Sequence, residues 1–91
     1  MNKHAVHETE LNSISRVVGQ LDGIKKMITE KRYCIDILTQ LKAAKNALKT
    51  IEVNILEKHI SHCLSNAVKN GDTEEIETKI EEIKSLLKKF M

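Results

Sequence analysis

Three residues of this chain carry soft-metal chemistry: Cys34, His59 and Cys63. His59 and Cys63 stand four apart, so on a helix they share one face. Cys34 precedes His59 by 25 residues on what reads as the same unbroken helix. At a rise of ~1.5 Å per residue the separation is roughly 37 Å. The three ligands therefore cannot meet within one straight helix. Two copies packed antiparallel, crossing near Leu48, would bring Cys34 of one subunit to His59 and Cys63 of the other. Symmetry would then make two such sites. Two thiolates and one imidazole suit Cu(I), which is soft and accepts low coordination numbers. Structural Zn(II) usually takes four ligands and would need help from water, His62 or a distant His. The Cys must be deprotonated and the His neutral to bind, so affinity depends on pH. The spacing points to a metal-responsive or thiol-responsive dimer.

The plainer account is that Cys34 fills a seam position as a small hydrophobe. It would prevail for a lone Cys, but Cys34 and the His59/Cys63 pair sit symmetrically about Leu48. His62 is next to Cys63 and points about 100° away from it, which suits a surface or partner contact better than a direct ligand. His4 and His7 form an i, i+3 pair near the N-terminus. Folded over the site, they would shift its preference toward Ni(II) or Co(II). Lys42, Lys45 and Lys49 form a stripe at i, i+3, i+7. Such a stripe is usually a solvated face, but with Arg16, Lys25 and Lys26 it could contact phosphates.

Helices must position these residues. With no Pro, three Gly, one Tyr, one Phe and no Trp, the chain reads as all-α. Leu11, Ile14, Val17, Val18, Leu21, Ile24 and Ile28 recur at helical spacing and predict a first helix over about 9–30. Gly19 and Gly23 lie inside it, a cost acceptable where another helix approaches closely. The break after it is poorly marked, because Lys31, Arg32 and Tyr33 include no Gly or Pro. A long second helix is expected over about 33–69. Its seam, Cys34, Ile37, Leu41, Ala44, Leu48, Ile51 and Ile55, keeps a 3-4 alternation like a coiled coil. The stripe then slips by one position to Leu56, Ile60, Cys63, Leu64 and Ala67. Asn70-Gly71 supplies the stop. Asp72 and Glu75 resemble a capping box for a third helix over 73–90, with Ile76, Ile80, Ile83, Leu87 and Phe90 as its seam.

Ninety-one residues allow one domain, 1–91. A monomer of this size cannot bury the stripe of so long a helix, and oligomerisation is the natural remedy. No stretch approaches a membrane span and the polar start has no apolar signal region, so a cytoplasmic location is the default. In that reducing setting a structural disulfide is disfavoured. The net charge of +2 is unevenly spread. Residues 1–49 hold nine Lys/Arg and five Asp/Glu, net +4, and residues 50–91 hold six and eight, net −2. The first half is a possible nucleic-acid face. No Gly-rich phosphate loop, Ser-His-Asp set or buried carboxylate pair is visible, so an enzyme is not expected.

Three stretches together resemble a known family: Gly19-Gln20-Leu21-Asp22-Gly23-Ile24, Tyr33-Cys34-Ile35-Asp36-Ile37-Leu38-Thr39-Gln40-Leu41, and Leu56-Glu57-Lys58-His59 through His62-Cys63. The chain is similar over nearly its whole length to the copper-sensitive operon repressor (CsoR/RcnR) family of bacterial sensors. The resemblance implies a three-helix protomer with one long central helix. It implies an antiparallel four-helix-bundle dimer, with dimers pairing as a homotetramer, that binds operator DNA through basic faces. Cys34, His59 and Cys63 match the Cys-His-Cys set of the copper branch. Cys63 argues against the nickel/cobalt branch, which has His there, and His59 argues against the persulfide branch. The formaldehyde branch, with one Cys, fits worst. The copper branch also places a Tyr and a Glu around its ligand His. Tyr33 matches the Tyr. Ungapped counting puts the Glu position at Lys79, and three extra residues near Asp72 put it at Glu82, the preferred match. Where the family commonly has Arg or Lys, this chain has Ser13, Ser15, Thr50 and Val53. Arg16 remains, and Lys42, Lys45 and Lys49 are the compensating candidates.

The expectation is a Cu(I)-responsive repressor that binds operator DNA when metal-free and releases it on Cu(I) binding. The competing readings are a thiol- or persulfide-responsive repressor using Cys34 and Cys63, and a copper-binding helical protein with no operator function.

Overall fold

The computed structural model of the protein describes residues 6–90. Among them are three α-helices and no strand: α1 is Glu10–Thr29, α2 is Cys34–Asn70 and α3 is Thr73–Phe90. The expected all-α protomer with one long central helix is the observed one, and each boundary falls within a residue of its expected place. The chain forms two compact units. One is Glu8–Glu52, and the other holds the described residues from Val53 onward together with Val6 and His7.

In the first unit, α1 packs on the first part of α2. Val17 and Ile24 are buried on α1, and Ala44 and Ile51 on α2. Each large member stabilises the unit by about 1.5–3 kcal/mol, and Ala44 lets the helices approach. The expected α2 seam divides here. Ile37 is half-buried beside buried Ala44 and Ile51, whereas Leu41, Leu48 and Ile55 keep 41%, 42% and 37% of their surface exposed. On α1 a second apolar stripe, Leu11, Ile14, Val18, Leu21 and Ile28, is also exposed. A Cβ added at Gly19 or Gly23 would meet nothing within 4 Å. Close helix approach inside the protomer is therefore not what these glycines serve.

The unmarked break between α1 and α2 has a defined geometry. Lys31 takes φ 57°, the left-handed conformation usually given to Gly. Its N–H donates to the Ile28 carbonyl at 3.1 Å, and the Arg32 N–H donates to that of Met27 at 3.0 Å. These two bonds make a Schellman cap with Lys at the glycine position. The Tyr33 carbonyl then accepts from Asp36 and Ile37, opening α2 at Cys34.

In the second unit, Ala67 is fully buried, with Leu56, Ile60, Leu64, Ile76, Ile83 and Leu86 half-buried. The seam expected on α3 is only partly covered, since Ile80, Leu87 and Phe90 are 41%, 37% and 40% exposed. Gly71 has φ 69° and ends α2 as expected, its N–H donating to Val68. Asp72 caps α3 by accepting from the Glu74 N–H at 3.0 Å. The other half of the expected capping box is replaced. The Glu75 carboxylate accepts from Asn70 Nδ2 at 3.4 Å, tying the end of one helix to the start of the next.

Candidate metal centre

The second half of α2 prepares a pair of soft donors. One helical turn separates His59 from Cys63, and Cys63 Sγ lies 3.5 Å from His59 Nε2 and 4.0 Å from Nδ1. Both residues are half-buried. That limits competing solvent while leaving one side open. The pair is a half-site, because two donors do not complete a metal sphere of three or four. Among the described residues, no group of three His, Cys, Asp or Glu comes together to hold a metal. Cys34 is a free, exposed thiol at the first position of α2.

The neighbouring candidates divide. His62 is half-buried and faces Asn66, with Nε2 3.4 Å from Nδ2. His7 belongs to the same compact unit as His59 and Cys63, and its Nδ1 is buried with no hydrogen-bond partner among the described residues. His4 lies outside the described residues. Tyr33 is 68% exposed, and its backbone carbonyl, not its phenol, is engaged at the start of α2. Glu82 pairs with Lys79 at 3.3 Å. The two residues that compete for the outer Glu position are thus ion-paired to each other across one turn of α3.

All six candidate DNA contacts, Arg16, Lys25, Lys26, Lys42, Lys45 and Lys49, are exposed and lie in the Glu8–Glu52 unit. They do not share one face. Lys25 follows Arg16 by nine residues, half a turn out of phase on α1. Arg16 sits in a groove of about 450 Å³ between α1 and α2, lined also by Ser13, Val17, Gln20, Ala47, Thr50 and Ile51. Ser13 and Thr50, where the family resemblance implies Arg or Lys, line this groove. Small hydroxyl side chains there leave the space open beside Arg16.

The comparisons with known proteins agree with this fold. A family model for metal-sensitive transcriptional repressors matches residues 7–89. The chain belongs to the metal-sensitive transcriptional repressor family. It is 37% identical, over 99% of its own length and 97% of the relative's, to a copper-sensing transcriptional repressor, CsoR, of Bacillus subtilis (strain 168). Its structure is similar to that of the copper-sensing repressor CsoR with Cu(I) from Geobacillus thermodenitrificans NG80-2. There the TM-score is 0.75 at 35% identity, covering 91% of this chain and 83% of that one. It is also similar to the nickel-responsive transcriptional regulator InrS, with a TM-score of 0.80 at 30% identity, covering 100% and 98%. Proteins of this one fold are thus named for different metals, and the fold by itself does not choose between them.

Proposed function

We propose that this chain is a Cu(I)-responsive transcriptional repressor. The metal-free assembly binds operator DNA. Cu(I) is then held by Cys34 of one subunit and His59 and Cys63 of another, and favours an arrangement with poor affinity for DNA. The observation that carries the reading is the His59–Cys63 half-site, with its two soft donors 3.5 Å apart on one helix face and its third donor, Cys34, at the far end of the same helix. A Cys-His-Cys set supplies the few soft ligands Cu(I) prefers. The copper-sensing relative aligned over the whole chain supports that choice of metal. Tyr33 and Glu82 steady His59 from outside the first set of ligands.

The assembly is an antiparallel four-helix-bundle dimer, with dimers paired as a homotetramer. The exposed apolar stripes of α1 and α2 are the surfaces it would cover. Arg16, Lys25, Lys26, Lys42, Lys45 and Lys49 are the basic residues available to operator phosphates. No described helix is long and apolar enough to cross a membrane, and the working location is the cytoplasm. Linkage requires that DNA weaken Cu(I) binding by the factor by which Cu(I) weakens DNA binding.

The test is fluorescence anisotropy of a labelled duplex from upstream of the gene. Reduced protein is titrated anaerobically and Cu(I) is added afterwards. Tight binding reversed by about one Cu(I) per protomer is the expected result. No specific binding at low salt would sink the repressor reading. Release by a persulfide donor and not by Cu(I), with a Cys34–Cys63 link detected by mass spectrometry, would replace the signal and keep the repressor.

A further inference from the structure

We infer that Lys45 and Glu52 form a reciprocal ion pair between two antiparallel copies of α2 and set the register that completes the metal site. The inference rests on the intersubunit site proposed above and names what aligns it.

In sequence Lys45 belongs with Lys42 and Lys49 to a basic stripe. Its helical position separates it from them, and the pairing argued here withdraws it from the residues left for operator phosphates. Steps of three and four residues from Cys34 lead through Leu38, Leu41, Lys45, Leu48, Glu52 and Ile55 to His59. At about 100° per residue these positions keep to one side of the helix, whereas Lys42 and Lys49 stand to one flank of it. The apolar members of this row that face away from α1 are exposed: Leu38 by 58%, Leu41 by 41% and Leu48 by 42%. Ala44 and Ile51, on the side packed against α1, are buried. Lys45 and Glu52 are the two charges set into that open row, and both are exposed.

Neither finds a partner among the described residues of its own chain. They stand seven residues apart, about 10.5 Å along the axis, beyond the reach of the i, i+3 and i, i+4 pairs that helices allow. Among the described residues neither is part of an ion pair, although Lys49 stands three residues before Glu52. A second copy supplies the missing partners. The two-fold axis that sets Cys34 opposite Cys63 passes between Leu48 and Lys49. The same axis sets Lys45 opposite Glu52, and by symmetry the pair forms twice. Leu38 then faces His59, and Leu41 faces Leu56. Leu48 and Ile55 face the flanking Lys49 and Lys42, whose aliphatic stems can lie over them. The face is thus complementary to itself in charge at Lys45 and Glu52 in the register that also brings the ligands together.

A charged pair inside an apolar seam adds little net stability, because desolvation offsets the attraction. Its effect is on choice. A slip of one heptad one way would set Glu52 against its like and Lys45 against His59, and the other way Lys45 against its like and Glu52 against Leu38; polar residues in such seams are a recognised means of fixing register. Cu(I) needs that register, since three donors from two chains must converge within bonding distance.

Charge swapping tests this on the full-length, reduced, metal-free protein. Two readouts are used: sedimentation equilibrium for the dimer, and cross-linking of Cys34 to Cys63 by a short bifunctional thiol reagent for the register. Lys45→Glu and Glu52→Lys should each weaken dimerisation on the order of tenfold, as two like-charge contacts replace two attractive ones. Each should also reduce the Cys34–Cys63 cross-link. The double variant Lys45→Glu/Glu52→Lys should restore both, with circular dichroism checking that every variant is helical. A double variant no better than either single one would overturn the inference, as would single variants that dimerise and cross-link like the parent. Neither readout involves copper or DNA, so a failed metal assignment leaves this result standing and a failed swap leaves the metal assignment untouched.

Discussion

The two compact units of this protein carry different parts of one task. The second, from Val53 onward, holds a prepared donor pair, His59 and Cys63, with Sγ and Nε2 3.5 Å apart. The first, Glu8–Glu52, holds a solitary exposed thiol at Cys34, the candidate phosphate contacts and the exposed apolar stripes. The first 49 residues are net basic and the remainder net acidic. Among the described residues neither unit brings three metal donors together, and the candidate phosphate contacts lie in the first alone. On the function proposed above, this separation makes assembly a condition of sensing: a signal completed between chains would act on the arrangement of chains that presents the basic residues to DNA.

If the second unit carries the discriminating donors, removing them should give the largest effect. His59→Ala or Cys63→Ala should lower Cu(I) affinity by more than about 100-fold, since even loss of an outer partner costs 10–100-fold. It should leave metal-free operator binding intact. Chelator competition and anisotropy check the two halves of this statement. A smaller effect sharpens the role of α3. Glu82→Gln should lower Cu(I) affinity about tenfold if its carboxylate steadies His59. If its work is confined to the exposed pair with Lys79, metal affinity should stay unchanged.

The first unit can be altered independently. Ser13→Arg and Thr50→Arg would place guanidinium groups in the groove beside Arg16. Each new phosphate contact should steepen the slope of log K against log salt by about 0.9, without changing Cu(I) affinity. A slope that does not move would mean that the groove does not face DNA. The smallest effects belong to the helix ends. Lys31→Gly should stabilise the first unit by about 1 kcal/mol, because Lys at φ 57° carries a Cβ penalty that Gly lacks. Asp72→Ala should cost about 1 kcal/mol by removing the cap on Glu74, the usual worth of such a bond. Thermal denaturation followed by circular dichroism measures both.

What could be read from the sequence follows the range of the forces involved. The His59/Cys63 pair was legible because i, i+4 geometry is local and needs no packing information. The three helices were legible for the same reason, through periodicity and the Asn70-Gly71 stop. The turn at Lys31 was not marked, because its left-handed residue is not the Gly that normally signals one. Glu75 was legible as a capping residue, but its choice of Asn70 over the helix start depends on how α2 ends. The 3-4 seam of α2 was visible as one stripe. Only packing shows that Ala44 and Ile51 face α1 while Leu41 and Leu48 stay uncovered. The basic residues were legible as a count but not as a surface, since Arg16 and Lys25 point to opposite sides of α1. The buried Nδ1 of His7, with no hydrogen-bond partner among the described residues, had no signature in the sequence beyond the residue itself.

The central claim is that one metal site draws on two chains, and subunit mixing tests it most directly. Cys34→Ala protein and His59→Ala/Cys63→Ala protein should each fail to hold Cu(I) against a competing chelator. Mixed and allowed to exchange, they form heterodimers in which Cys34 of the double variant meets His59 and Cys63 of the other chain. The account predicts that the mixture regains Cu(I) binding, at about one ion per heterodimer. A mixture that binds no more Cu(I) than its components would contradict it.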